Sequence, residues 1–105
     1  VAQDAAEDRI PTGPSVEERL AEIRHRVQEA VIYPSFARQR NLSGEVLLEF
    51  RIAQDGTPEA LAVRRSSGSA LLDRAAERAV REAGPLPRLY GLVAVPVRFE
   101  LEALD

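Results

Sequence analysis

Few side chains in this sequence are of a type that acts on a substrate. The chain of 105 residues holds one histidine, His25, and no cysteine. The lack of cysteine excludes disulfides, thiolate metal sites and cysteine nucleophiles. Ser66-Ser67-Gly68 has the look of a nucleophile loop, and Asp73 follows it as a candidate acid. A serine nucleophile needs a base within hydrogen-bond reach and a third group to orient that base. His25 lies among arginines on the polar side of a helical pattern, so it reads as a solvated side chain and not as that base. Asp73, at the start of a later helix, is explained by the helix dipole. Asp55 is explained by the Asp55-Gly56 turn that contains it. No Gly-rich phosphate loop and no His/Asp/Glu cluster at ligand spacing occurs. The residues point away from an enzyme, and they imply no metal and no cofactor.

The chemistry left over is that of the peptide backbone. Gly91 to Leu101 alternates cleanly, with Val93, Val95, Val97, Phe99 and Leu101 on one face and Ala94, Pro96, Arg98 and Glu100 on the other. That is a strand with one face on a core. Proline has no N–H for a sheet ladder, so Pro96 predicts an edge strand with that position facing outward. Such an edge offers unpaired N–H and C=O groups to any extended chain. The residues sharing the orientation of Pro96, namely Leu92, Ala94, Arg98 and Glu100, would face an incoming strand.

The rest of the chain must position that edge. Residues 1–14 mix small, acidic and turn residues without periodicity and read as a tail or the end of a linker. Residues 15–103 then form one domain. Ser15-Val16-Glu17-Glu18 fits a capping box, and Val16, Leu20, Ile23, Val27 and Val31 follow at helical spacing. Tyr33-Pro34 ends this helix. A short second helix is expected over Ser35–Arg40, with Phe36 and Ala37 facing inward. Val46, Leu48, Phe50 and Ile52 mark a strand, and Asp55-Gly56 signals a two-residue type I′ hairpin. That turn would set Gln54 opposite Thr57, Ile52 opposite Glu59, Phe50 opposite Leu61 and Leu48 opposite Val63. Pro58 would then point its missing N–H away from the first strand and mark a second sheet edge. After the Ser66–Ser69 loop, Leu72, Ala75, Ala76, Ala79, Val80 and Ala83 form a small-residue stripe that lets a helix lie close on a sheet. Gly84-Pro85 ends it. The expected fold is α+β: a two-layer α-α-β-β-α-β domain whose three-stranded antiparallel sheet has order 2-1-3, with helices on one face. Leu47, Glu49, Arg51, Ala62, Arg64, Arg98 and Glu100 fall on the other face.

Composition narrows the partners. Net charge is −3 with a pI near 5.2, and every one of the 14 basic residues is arginine. An acidic chain without aromatics on its exposed strand positions argues against nucleic acid. No run approaches the ~20 apolar residues of a membrane span.

An ordered set of residues carries a family resemblance. Tyr33-Pro34, Ala37, Leu42-x-Gly44, the alternating strand to Phe50, Asp55-Gly56, Ser66-Ser67-Gly68, Leu72-Asp73-x-Ala75-Ala76, Ala79-Val80, Pro85-x-Pro87 and Val95-Pro96-Val97-x-Phe99 occur in sequence. Together they resemble the C-terminal domain of TonB, the energy transducer of Gram-negative bacteria, over residues 20–102. Ile32 stands where enteric members carry a glutamine. The resemblance implies a periplasmic domain of an inner-membrane-anchored protein that works with ExbB–ExbD. It also implies capture of the TonB box of a TonB-dependent outer-membrane transporter, by strand addition, for import of siderophores or similar cargo. Partner contacts would then fall on Tyr33, Pro34, Leu92, Val93, Ala94, Val95, Pro96, Val97, Arg98 and Glu100. Two alternatives stay open: a TolA-like cell-envelope scaffold domain without energy coupling, and a homodimer formed by strand exchange at the exposed edge.

Overall fold

A computed structural model describes residues 15–101. The expected tail or linker end at 1–14, and residues 102 and 103 of the expected domain, lie outside the described residues. The elements run α1 (Val16–Ala30), α2 (Ser35–Gln39), β1 (Gly44–Ile52), β2 (Pro58–Arg65), α3 (Ala70–Ala83) and β3 (Val93–Phe99). The sheet is antiparallel with order β2-β1-β3, as the two outward prolines predict. Helices cover its apolar face, giving the expected two-layer α+β domain.

Local chemistry sets the helix boundaries. Ser15 Oγ accepts the Glu18 N–H at 3.1 Å, and the Glu18 carboxylate accepts the Ser15 N–H at 2.8 Å, a complete capping box. Ile23 and Val27 are the residues of α1 that are fully buried. From α3 the core takes Leu72, Ala76, Ala79 and Val80, so alanines do let this helix approach the sheet. Val46, Leu48 and Phe50 of β1 and Val95 and Val97 of β3 are likewise sealed from water. Each large side chain so buried contributes about 1.5–3 kcal/mol. No polar side chain is buried among the described residues.

Three expectations are corrected. Phe36 does not face inward: it is 49% exposed, beneath the Arg40 guanidinium at 4.2 Å, and Ala37 alone fills the inner side of α2. The hairpin loop has three residues and not two. Gly56 N–H donates to Ala53 C=O at 2.9 Å and Ala53 N–H to Thr57 C=O at 2.8 Å, with Gly56 alone of the loop at positive φ (90°). This is a type I turn followed by a left-handed residue. Ile52 therefore meets Pro58 and Arg51 meets Glu59, one residue out of the expected register. The expected Leu48–Val63 pair is nonetheless present, because the strand absorbs the offset at Ala60, which sits at φ 54° and gives β2 one extra residue opposite Phe50. Gly84, lastly, is extended and not left-handed (φ −68°, ψ 162°). It passes the hairpin closely: a Cβ there would touch Gly56 O at 3.4 Å and Pro58 Cδ at 3.5 Å, which is ordinary contact.

Candidate functional site

Among the described residues β3 pairs with β1 on one side only, in the unbroken register Gly44–Phe99 through Phe50–Val93. In an antiparallel ladder alternate residues turn their N–H and C=O toward the neighbour and away from it. Two observations show which are which. Pro96 has no N–H and lies opposite Leu47, and the backbone of Arg98 bonds outward to a side chain on α1. Val93, Val95 and Val97 thus give their backbone groups to β1, and their side chains are in the core. Ala94, Pro96 and Arg98 present theirs to the open side. Of the residues expected to touch a partner, these even-numbered ones carry the accessible edge. Leu92 and Glu100 extend its line at either end and are exposed.

Arg98 is not free. Its N–H donates to Gln28 Oε1 and its C=O accepts from Gln28 Nε2, both at 3.0 Å. Among the described residues nothing takes the Ala94 N–H or C=O, or the Pro96 C=O. The open stretch is therefore Leu92–Pro96, and a side-chain amide covers the edge at Arg98. Gln28 escaped the sequence reading because it is one polar residue among many on a polar helix face, and its partner lies 70 positions away.

An open groove of about 760 Å³ lies beside the Pro96–Leu101 end of this edge, between β3 and α1. Tyr33, Pro96, Arg98 and Glu100 line it, with Arg24 and Arg38 on the helical side. Tyr33 is half-buried and structural as well. Its hydroxyl donates to Leu42 C=O, its ring meets Phe99 edge-on at 5.6 Å, and Arg38 lies over its face at 5.2 Å. Pro34 is not part of this groove. It lines a second one with Ile32, Leu71 and Arg74, so the structure separates Tyr33 from Pro34.

The residues that mimic catalysis have structural partners. Asp73 accepts hydrogen bonds from the Ser66 hydroxyl, the Ser67 N–H at 3.0 Å and the Ser67 hydroxyl at 2.7 Å. Burial alone would raise its carboxyl, but these donors outweigh burial and hold it below the ordinary carboxylate value. Asp55 is lowered mainly by hydrogen bonds from Thr57, whose N–H it accepts at 3.0 Å. His25 is exposed and sits 3.3 Å from Glu29.

Comparison with known proteins places the sequence and the fold. The family model for the Gram-negative bacterial TonB protein C-terminal matches residues 29–103. The tonB2 protein of Pseudomonas aeruginosa is 36% identical over 75 residues, which cover 66% of this chain and 28% of that protein. A TonB protein of Helicobacter pylori is 30% identical over 88 residues, covering 81% of this chain and 31% of its own length. The chain thus spans less than a third of these curated relatives. Among solved structures, the solution structure of the Helicobacter pylori TonB C-terminal domain superposes with a TM-score of 0.74 at 28% identity, covering 88% of each chain. A second likeness is TolAIII bound to a peptide derived from the N-terminus of TolB, with a TM-score of 0.65 at 26% identity, covering 91% of this chain and 85% of that one. This chain belongs to the family of TonB C-terminal domains.

Proposed function

We propose that this domain is the periplasmic protein-binding part of a TonB-type energy transducer, and that it captures the TonB box of an outer-membrane transporter as an added strand on β3. The observation that carries this reading is the row of outward backbone groups at Ala94 and Pro96, unpaired among the described residues and on an unpartnered sheet edge. An extended peptide laid there gains main-chain hydrogen bonds, and its end at Pro96 comes to the groove beside α1. Family membership supports the transducer role. The reading includes, from the family, a partnership with ExbB–ExbD and an inner-membrane anchor; no described helix is long and apolar enough to cross a membrane. The cargo would be a siderophore or similar nutrient, and the domain itself performs no catalysis.

A second reading, a TolA-like scaffold without energy coupling, is favoured by the likeness to peptide-bound TolAIII. It uses a peptide-binding domain too, so the choice rests on what is bound. Titration of the isotope-labelled domain with TonB-box peptides from the same genome should shift the Leu92 and Ala94 amides. Shifts confined to other elements would exclude strand addition at β3. A homodimer paired through the same edge would instead appear as concentration-dependent sedimentation without peptide.

A further inference from the structure

The edge of β3 is occupied at one position by a side chain that imitates a strand. A neighbouring antiparallel residue would exchange two hydrogen bonds with Arg98, one through its N–H and one through its C=O. The Gln28 amide supplies the same donor and acceptor, both at 3.0 Å. Its backbone is held in place because Ile23 and Val27, on the same helix, are fully buried. Its side chain is exposed, so water can replace both bonds when it leaves. Gln28 also lies one residue ahead of the stretch that matches the family, 29–103.

We propose that Gln28 is a displaceable stand-in for the partner strand, one that sets how far a captured peptide can pair along β3. This rests on the strand-capture reading above. With Gln28 in place, a bound segment pairs with Ala94 and with the Pro96 carbonyl and stops there. To continue past Pro96 to Arg98 it must first expel the glutamine amide. The same contact shields part of an edge that would otherwise invite self-pairing.

The test has two arms, each comparing the wild-type domain with Gln28→Leu and Gln28→Ala, changes on an exposed helix face. In the free protein, the Arg98 amide should exchange with solvent at least about fivefold faster in both variants, because a lost hydrogen bond raises local opening. The Val95 and Val97 amides, bonded to β1, should be unchanged and report that the fold is intact. Equal Arg98 exchange in all three proteins overturns the stand-in. In the second arm, a synthetic TonB-box peptide long enough to reach Arg98 is titrated into each protein. Removing the competitor should tighten binding roughly three- to tenfold, and in the variants Arg98 should become protected only with peptide bound. Equal affinities would show that Gln28 does not gate the edge. Binding to none of the three would contradict strand capture itself and the gating role with it, while the exchange arm still decides whether Gln28 holds Arg98.

Discussion

Asp73 is the acceptor around which the Ser66–Ser69 loop closes before α3 begins. Its pH dependence has a definite sign. The folded carboxyl is held below its usual 3.8, so the unfolded chain binds the proton more readily. The contribution is therefore complete above the unfolded value and is lost as pH falls through the folded one. Asp73→Asn should destabilise the domain by about 1 kcal/mol at pH 7. In urea unfolding that difference should shrink steadily below about pH 4.5; a difference independent of pH would contradict the assignment. The sequence explained Asp73 through the helix dipole, and its position does suit one. It could not show the three serine-loop donors, because hydroxyl orientation depends on how the loop folds back. Gln28 was beyond reach for a similar reason: both of its partners are backbone atoms of a distant strand.

Among elements, the hairpin and the connector after α3 act as one unit. Gly56 stands at φ 90°, and a Cβ there would come within 2.7 Å of Pro85 Cβ and 2.8 Å of Leu86 N. Its carbonyl accepts the Leu86 N–H at 2.9 Å, which helps seat Leu86 at 4% exposure. Gly56→Ala therefore meets both a backbone and a steric penalty. A loss of about 2–4 kcal/mol is expected in chemical denaturation, whereas Gly68→Ala, with open space around it, should meet the backbone penalty alone. Equal effects at the two glycines would refute the packing argument. Alternation and turn chemistry made the element order and strand order legible: Pro58 and Pro96 alone placed β1 in the middle. The register near the turn was not legible. An Asp-Gly pair announces a hairpin but not its loop length, and Ala60 at positive φ carries no signal, since alanine has no special reason to be there. Phe36 misled for a plainer reason. A five-residue helix has room for one inward residue, and Ala37 took it.

For the whole molecule, the question is what the domain does with a sheet that is open at both edges. The β2 edge carries Pro58 and the bulge at Ala60, both of which blunt pairing. The β3 edge is flat in register, flanked from Pro96 onward by a groove, and covered only at Arg98 among the described residues. That asymmetry favours partner capture on β3, and it yields a substitution that separates folding from function. Ala94 is exposed and turns its N–H away from β1, in the same orientation that already tolerates proline at position 96. Ala94→Pro removes the outward donor without removing a ladder bond. Calorimetric titration of a TonB-box peptide into wild type and Ala94→Pro is the most direct measurement. Strand capture on β3 predicts a folded variant, with its β1–β3 amides still protected, that binds at least about tenfold more weakly. Unchanged affinity in a folded Ala94→Pro domain would contradict capture on the β3 edge.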